Sequence, residues 1–295
     1  MRNRFVIDEE FIAKIESLET VIRNNIAGVF GGNRRSKSYG SSCEFADYRD
    51  YMAGDDTDRI DWNAFARFDK LFVKLYLDER QMHTRIYIDA SRSMEYGDGK
   101  KAEQAIKIAA ALAYISICEM DKVTVYTIKG GEIDAVISSM VGKDSYISSI
   151  GLLNNIEFDG DSCISDAILP SAVGYGDGMS VILSDFLTDN DYESAIDHLV
   201  AKRRDVLCMQ ILTREEQKPQ FRGKYHFFDS EDQRRDYRKD IDGDITAAYK
   251  RALEYVTRRI SGYCEARGAS YQLVTAEDSL FDIFFGSMTE REVLK

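Results

Sequence analysis

The sequence predicts an α/β protein whose mostly parallel sheet carries helices on both faces. From Thr84 onward, short apolar strands alternate with longer helical segments. Strands separated by helices of about ten or more residues are typical of parallel sheets, because a parallel connection needs a long crossover. Two of these strands also end in an aspartate, Asp89 and Asp185. The functional groups of such sheets gather at the carboxyl ends of the strands, so both aspartates are candidate site residues.

The elements after Thr84 are predicted from the periodicity of their apolar residues. The predicted strands cover residues 85–89, 122–128, 132–137, 180–185, 205–212 and 270–275. The predicted helices cover residues 101–120, 144–153, 165–172, 191–202 and 246–267. The second and third strands flank Gly130 and Gly131, a pair that predicts a hairpin turn.

The first 82 residues do not follow this alternation. Residues 8–26 place apolar side chains on one face, at the period of an amphipathic helix. From Gly28 to about Arg80 the chain is charged, aromatic and irregular. We therefore expect an N-terminal region, residues 1–82, that packs on an α/β domain of residues 83–295, with an insert near residues 213–240.

The composition limits the classes of function. The formal net charge of −12 disfavours binding to nucleic acid and to anionic lipid. No segment approaches the roughly 18 uncharged apolar residues of a membrane-spanning helix. The five cysteines are scattered and odd in number, which fits reduced thiols. We expect a cytoplasmic protein that neither binds nucleic acid nor spans a membrane, and the sequence leaves its oligomeric state open.

Five oxygen-bearing side chains form the candidate site. Asp89, Ser91 and Ser93 occupy alternate positions after the first strand, and Asp185 closes a later strand. Ser162 lies in a loop before an apolar helix, from which it can reach the same edge of the sheet. Carboxylate and hydroxyl oxygens are hard ligands, which favour Mg²⁺ or Mn²⁺ over zinc or copper. The alternative is a turn capped by aspartate and serine without any ion.

This arrangement resembles the metal-ion-dependent adhesion site of von Willebrand factor A domains. That site has a D-x-S-x-S pattern, a threonine in a later loop and an aspartate after a strand. Residues 89–93 match the first element and Asp185 matches the last, whereas Ser162 stands where a threonine is usual. The ligands that the resemblance implies for Mg²⁺ or Mn²⁺ are Asp89, Ser91, Ser93, Ser162 and Asp185. It also implies that the aspartates bind through water and that a partner protein donates a Glu or Asp.

The stretch from Glu44 to Arg80 resembles the signature of domain-of-unknown-function family 58, in which such an A domain follows. The matching residues are Arg49, Tyr51, Gly54, Asp55, Asp56, Arg59, Ile60, Asp61, Trp62, Ala66 and Arg67. Residues 223–232 also resemble a late insert of that family. The resemblance implies a cytoplasmic bacterial or archaeal protein. It further implies an adaptor that works with a MoxR-type AAA+ ATPase in complex assembly or in a chaperone-like role.

Four residues of this signature, Arg59, Asp61, Trp62 and Arg67, have two interpretations. They form either a partner surface or a structural network of charge-assisted hydrogen bonds. The structural interpretation is favoured, because so dense an Arg-Asp-Trp cluster usually buries the indole and pairs the charges. It predicts that the side chain of Trp62 is buried.

An enzymatic function is the alternative to a binding module. The chain lacks the G-x-x-x-x-G-K-[ST] phosphate loop, and its three histidines are far apart and outside any nucleophile elbow. A metal-assisted phosphohydrolase would use the same five ligands to activate water. Only Arg92 lies beside these ligands as a phosphate-binding group, and no general base is evident. We therefore expect a non-enzymatic module.

Overall fold

The computed structural model describes residues 6–16, 45–76, 81–96, 98–171, 175–176, 178–219, 223–228, 236–241 and 243–286. The chain divides into two compact units. The smaller unit is Ile26–Gln81, and the larger unit combines Met1–Asn25 with Met82–Lys295. The predicted packing of the N-terminal region on the α/β domain stays a prediction.

The first helix, α1, covers residues 9–16 in its described part. Asp8 caps it, because the Asp8 carboxylate accepts a hydrogen bond from the backbone N–H of Phe11 at 2.7 Å. Asn154 holds the residues before the helix through hydrogen bonds of 3.0 Å to the backbone of Val6 and Ile7. The remainder of the predicted helix, residues 17–26, lies outside the described residues.

The smaller unit contains regular structure where the sequence predicted an irregular segment. Strands β1 (Phe45–Asp50) and β2 (Phe72–Tyr76) pair antiparallel, and helix α2 (Trp62–Phe68) lies between them along the chain. The sequence of β1, FADYRD, mixes acidic, basic and aromatic residues. Its apolar pattern is therefore too weak to indicate a strand, and only the pairing with β2 makes the strand visible.

A six-stranded sheet forms the centre of the larger unit. The strands of this unit are β3 (His83–Asp89), β4 (Lys122–Lys129), β5 (Glu132–Met140), β6 (Met179–Ser184), β7 (Asp205–Leu212), β8 (Gly223–Phe228), β9 (Asp236–Ile241) and β10 (Ser270–Thr275). The sheet has the order β10-β7-β6-β3-β4-β5, and all its neighbouring strands are parallel except β4 and β5. Strands β8 and β9 form a separate antiparallel hairpin after β7. This sheet confirms the predicted fold class, a mostly parallel von Willebrand factor A-like α/β fold.

Helices lie on both faces of the sheet. The helices of the larger unit after α1 are α3 (Lys100–Cys118), α4 (Lys143–Ser149), α5 (Ile164–Ile168), α6 (Glu193–Ala201), α7 (Arg214–Gln217) and α8 (Gly243–Ala266). On one face, Tyr87, Ile182 and Cys208 form a core with residues of α5, α6 and α8. Side chains alternate along a strand, so Ile86 and Ile88 point to the other face, where α3 contacts β3 and β4.

The order of the strands reverses at β3, and this reversal positions the candidate site. Strand β4 lies on one side of β3 and strand β6 lies on the other. Because crossover connections are right-handed, such a reversal opens a crevice at the carboxyl ends of the two strands beside it. Strand β3 ends at Asp89 and strand β6 ends at Ser184. The fold thus brings residues 89–93 and 184–185 to neighbouring positions.

The helices predicted at residues 144–153 and 165–172 both end earlier than predicted. Helix α5 ends at Ile168 instead of residue 172, because Pro170 lacks the backbone N–H that would continue the helical hydrogen bonds. The predicted helix at residues 144–153 divides into α4 and a 3-10 helix at Ile150–Asn155. The strands β7 and β10 have the predicted bounds.

Membrane-spanning helices and disulfides can be assessed in the part of the chain that the structure describes. In that part, no helix combines the length and the apolar character that crossing a membrane requires. Within the described ranges, none of Cys118, Cys163, Cys208 and Cys264 forms a disulfide.

Candidate functional site

The centre of the candidate site is the carboxylate of Asp89, which is fully buried at the end of β3. Its Oδ1 accepts the backbone N–H of Ser91 at 3.0 Å. Its Oδ2 accepts the hydroxyls of Ser162 at 2.8 Å and Ser184 at 2.6 Å. Burial and the nearby charge of Asp185 raise the pKa of Asp89. Among the described residues, no lysine, arginine or histidine forms an ion pair with this carboxylate.

The hydroxyls of Ser91 and Ser93 lie side by side next to Asp89. Their Oγ atoms are 3.0 Å apart. Ser91 is buried and Ser93 is partly buried, at the start of a 3-10 helix that begins at Arg92. Ligands at right angles around a Mg²⁺ ion, each about 2.1 Å from it, lie about 3.0 Å apart. The hydroxyl pair therefore has the spacing of two neighbouring ligands of such an ion.

The loop that carries Ser162 is fixed to the turn after β3. Gly160 donates its N–H to the carbonyl of Ala90 at 3.1 Å and accepts the N–H of Arg92 at 2.9 Å. The amide of Asn190 donates to the carbonyl of Ser162 at 2.7 Å. These contacts position the Ser162 hydroxyl against Asp89, although serine replaces the threonine that the resemblance implies.

Asp185 completes the predicted set and is also fully buried. Its Oδ1 accepts the backbone N–H of Leu187 at 3.0 Å, and its main-chain oxygen accepts the side-chain amide of Gln210 at 2.8 Å. Its Oδ2 accepts the ammonium of Lys101 at 2.8 Å. The structure thus links Asp89 directly to Ser91 and Ser162, pairs Ser91 with Ser93, and places Asp185 close enough to affect the pKa of Asp89.

Sequence reasoning missed two charged members of the site, Lys101 and Glu216. The ammonium of Lys101 lies 2.8 Å from Asp185 and 2.8 Å from Glu216, with 1% of its side chain exposed. Burial alone would lower the pKa of Lys101, but the two carboxylates outweigh burial and raise it. Lys101 is therefore an ammonium. The sequence did contain a signal for the burial of Lys101. Lys101 lies four residues before Ala105, and residues at this spacing share one face of a helix, here the inner face predicted for α3.

The charges and donors of this site fit a hard divalent cation. When all groups are ionised, the three carboxylates of Asp89, Asp185 and Glu216 and the one ammonium of Lys101 leave a net charge of −2. Hydroxyl and carboxylate oxygens are the donors that Mg²⁺ and Mn²⁺ prefer. Within the described ranges, no group of three or more His, Cys, Asp or Glu side chains could hold a metal. A cation here would depend on the serine hydroxyls.

In the smaller unit, the signature residue Asp61 is buried, whereas its neighbour Trp62 is not. Trp62 is 62% exposed, so the prediction of a buried indole is wrong. Asp61 caps α2 by accepting the N–H groups of Asn63 and Ala64, and it also accepts the Tyr48 hydroxyl at 2.7 Å. Helix α2 has only seven residues, so little of its surface can pack against the rest of its unit. The residue that points inward is the capping Asp61.

The two arginines of the predicted set have different surroundings. Arg59 lies 3.7 Å from the carboxylate of Asp56 in an ion pair that is well exposed. Arg67 lies in the last turn of α2 and is exposed. Exposed pairs of this kind add little stability. Whether Arg59, Asp61, Trp62 and Arg67 act as a partner surface or as a structural network stays a prediction.

We expect the smaller unit to lose stability in acid through Asp61. Hydrogen bonds from Tyr48 and from the backbone of Ala64 lower the pKa of Asp61 from 3.8 to about 2. A carboxylate whose pKa is lowered by folding stabilises the folded state above its ordinary pKa, and this stabilisation disappears as the pH falls from 3.8 to about 2. The fluorescence of Trp62, the only tryptophan, should report the transition in that range.

The control for this prediction is Asp61→Asn. It should be less stable than the wild type at neutral pH, and its stability should change less between pH 4 and 2. An acid transition of equal size in both proteins would show that Asp61 is not its cause.

Fold and site together define a protein of the von Willebrand factor A-like class, with an oxygen-rich site at the reversal point of its sheet. The chain matches the model of the family described as "Protein of unknown function DUF58" over residues 47–255. This match covers more than two thirds of the chain. The chain therefore belongs to the DUF58 family.

The chain is also similar to uncharacterized proteins of Mycobacterium tuberculosis (strain H37Rv) and Mycobacterium bovis. Each is 24% identical over 211 residues, which cover 70% of this chain. The chain spans 66% of the length of these relatives.

Solved structures similar to this chain include an aerotolerance-related membrane protein from Bacteroides fragilis and the SpRpn10 VWA domain. The first has a TM-score of 0.38 and 15% identity, and the match covers 65% of this chain and 91% of that one. The second has a TM-score of 0.38 and 9% identity, and the match covers 70% of this chain and 95% of that one. The fold class of the present chain rests on its own strand order.

Proposed function

We propose that this protein is a non-enzymatic interaction module that binds Mg²⁺ or Mn²⁺ and, through the ion, an acidic side chain of a partner protein. The residues that would hold the ion are Asp89, Ser91, Ser93, Ser162 and Asp185. The observation that carries the proposal is the fully buried carboxylate of Asp89, which has a charged carboxylate near it and no cationic partner among the described residues. A buried charge without a counter-charge is costly, so a bound cation would stabilise it.

The residues of the site have separate tasks in this proposal. All four carboxylate oxygens of Asp89 and Asp185 already accept hydrogen bonds from the protein. They therefore supply negative charge and orient water, whereas the hydroxyls of Ser91 and Ser93 supply neutral oxygens for direct contact. The bound ion would supply an electrophilic position for one further anionic oxygen. A Glu or Asp of the partner fits that position.

For the partner we propose a MoxR-type AAA+ ATPase, with this protein acting as an adaptor in complex assembly or in a chaperone-like role in the cytoplasm. Membership of the DUF58 family supports this part of the proposal. The net charge of −12 supports a role for the ion, because an acidic partner side chain would otherwise meet a surface of the same sign.

The same geometry disfavours a phosphohydrolase. Such an enzyme needs a carboxylate or another base that is free to accept a proton from water. The oxygens of Asp89 and Asp185 are already engaged, and Lys101 is held as an ammonium between two carboxylates. The module function therefore accounts for the site better.

The test is a calorimetric titration of the purified protein with Mg²⁺ and with Mn²⁺. We expect the wild type to bind one ion and Asp89→Ala to lose that binding. Asp89→Asn is a second variant, since its amide oxygen can still accept the N–H of Ser91 if the alanine variant is unstable. Asp159→Ala is the matched control, because Asp159 lies three residues before Ser162 in the same loop but is exposed and paired with Lys129. Equal binding by wild type and Asp89→Ala would place the ion elsewhere.

A further inference from the structure

A buried lysine links the candidate site to the segment after β7. Lys101 donates to Oδ2 of Asp185 and to Oε1 of Glu216, at 2.8 Å in both cases. Its ammonium also lies 5.6 Å from the centre of the Tyr96 ring. The side chains of Lys101 and Asp185 are each 1% exposed, and that of Glu216 is 10% exposed. Water therefore screens these three charges very little.

Glu216 is fixed in place by the start of helix α7. Its Oε2 accepts the backbone N–H of Thr213 at 2.7 Å and the Thr213 hydroxyl at 2.9 Å. The hydroxyl of Thr213 in turn accepts the N–H of Glu216, which completes a capping box. Glu216 therefore keeps its carboxylate beside Lys101 without help from the ammonium.

Lys101 thus contacts one of the five predicted ligands, Asp185, and one carboxylate that is not a ligand, Glu216. If Lys101 faced Asp185 alone, its positive charge would neutralise one of the two carboxylates on which the proposed ion depends. The negative charge of Glu216 offsets the positive charge of Lys101. The four charged groups together then have a net charge of −2, which one divalent cation balances. A change at Lys101 and a change at Glu216 should therefore act on a bound cation in opposite directions.

We propose that Lys101 and Glu216 set the affinity of the site for its divalent cation, Lys101 by weakening the binding and Glu216 by strengthening it. This inference rests on the proposed function, because it concerns the same site. It adds two positioning residues that lie outside the five ligands and that the adhesion-site pattern does not contain.

The chain offers a matched control in the neighbouring pair of Lys100 and Glu277. Lys100 lies 3.3 Å from Oε1 of Glu277, and Oε2 of Glu277 accepts the backbone N–H of Arg214. This pair thus repeats the chemistry of Lys101 and Glu216, one residue away on α3 and beside the same helix α7. It differs in exposure, since the side chain of Lys100 is 52% exposed. Solvent therefore screens the charges of Lys100 and Glu277, and Lys100 does not contact Asp185.

The experiment compares Mg²⁺ binding by the wild type, Lys101→Met, Glu216→Gln, Lys100→Met and Glu277→Gln, measured by calorimetry at one ionic strength. A unit charge removed from a poorly screened position near the ion changes its affinity by about tenfold or more. We therefore expect Lys101→Met to bind Mg²⁺ about tenfold more tightly than the wild type and Glu216→Gln about tenfold more weakly. Both exposed-pair variants should stay within about twofold of the wild type.

A second measurement does not depend on affinity. Unfolding in urea with chelator should show Lys101→Met to be less stable than Lys100→Met, because Asp185 and Glu216 lose their counter-charge. Mg²⁺ should recover more stability in Lys101→Met than in the wild type. If Lys101→Met fails to fold, Glu216→Gln still tests the proposal, since glutamine retains the capping box.

The outcomes separate this inference from the proposed function. If the wild type binds Mg²⁺ and the four variants bind it equally well, or Lys101→Met and Glu216→Gln shift in the same direction, the inference is overturned and the cation site stands. If neither the wild type nor any variant binds Mg²⁺, the proposed function fails and the inference fails with it.

Discussion

Capture of a MoxR-type AAA+ ATPase by this protein should require Mg²⁺ and should be lost when Asp89 or Asp185 is replaced by alanine. Both carboxylates are fully buried at the carboxyl ends of neighbouring strands, and the charge of one raises the pKa of the other. With an ion present, a partner carboxylate meets a positive centre. Without the ion it approaches uncompensated negative charge, and attraction becomes repulsion.

The expected effect is large because the interaction is desolvated. Removing one member of a buried charge pair at an interface costs about 2 kcal/mol or more, which corresponds to about 30-fold in affinity. The measurement is capture of the ATPase on immobilised protein, with Mg²⁺ or with chelator, for the wild type, Asp89→Ala, Asp185→Ala and the control Asp159→Ala. The control should behave as the wild type does.

Two results would contradict the proposal in different ways. Capture that is equal in Mg²⁺ and in chelator would show that the binding surface lies away from the site, even though the fold is as predicted. Hydrolysis of a generic phosphoester by the protein alone, with Mn²⁺ and without any partner, would favour the phosphohydrolase if the same variants lost it.

The sheet could be predicted from the sequence because its signals are local. Strand β7 is a short apolar run, β10 is a shorter mixed segment, and both have the predicted bounds. The turn after β3 was recognisable as a candidate site because Asp89, Ser91 and Ser93 all lie within five consecutive residues. The approach of Asp185 to this turn followed from the rule that the carboxyl ends of parallel strands share one edge. The approach of Ser162 was expected from its position in a loop that could reach this edge and from the resemblance to the adhesion site.

The role of Lys101 could not be predicted in the same way. Its partners Asp185 and Glu216 are 84 and 115 residues away along the chain. A lysine in the first turn of a helix usually extends into water, and only the tertiary packing around α3 encloses this one. The inner stripe of alanines near Lys101 indicated its direction, but it did not indicate a counter-charge.

The burial of Trp62 was predicted wrongly for a different reason. The prediction used the composition of the signature, in which an indole lies between charged residues. The observed helix α2 has only seven residues, and Trp62 is its first residue, directly after the capping Asp61. The composition shows that the cluster of charged and aromatic residues is unusual. It does not show which face of a seven-residue helix packs against the rest of the unit. Trp62→Ala should accordingly cost less stability than burial of the indole would imply.

Gly160→Ala should both destabilise the protein and weaken its binding of Mg²⁺. A methyl group at Gly160 would overlap Cγ of Lys129 and would lie 3.2 Å from the Cα of Lys129. The lysine side chain can move, but its Cα belongs to strand β4 and cannot. The loop would therefore have to shift away from β4, and this shift would strain the hydrogen bonds that join Gly160 to Ala90 and Arg92 in the turn after β3. Overpacking of this kind typically costs about 1–3 kcal/mol.

The effect on the ion follows from the position of Ser162, two residues after Gly160. Moving this loop separates the Ser162 hydroxyl from Asp89, which it contacts at 2.8 Å, and we expect Mg²⁺ affinity to fall by about tenfold. Gly151→Ala is the matched control, because a methyl group at Gly151 meets no atom within 4 Å. Its melting temperature and Mg²⁺ affinity should equal those of the wild type. Lys129→Ala should partly restore Gly160→Ala, since it removes the overlapping Cγ but leaves the Cα in place. If Gly160→Ala lost stability but bound Mg²⁺ as the wild type does, the loop of Ser162 would not belong to the cation site.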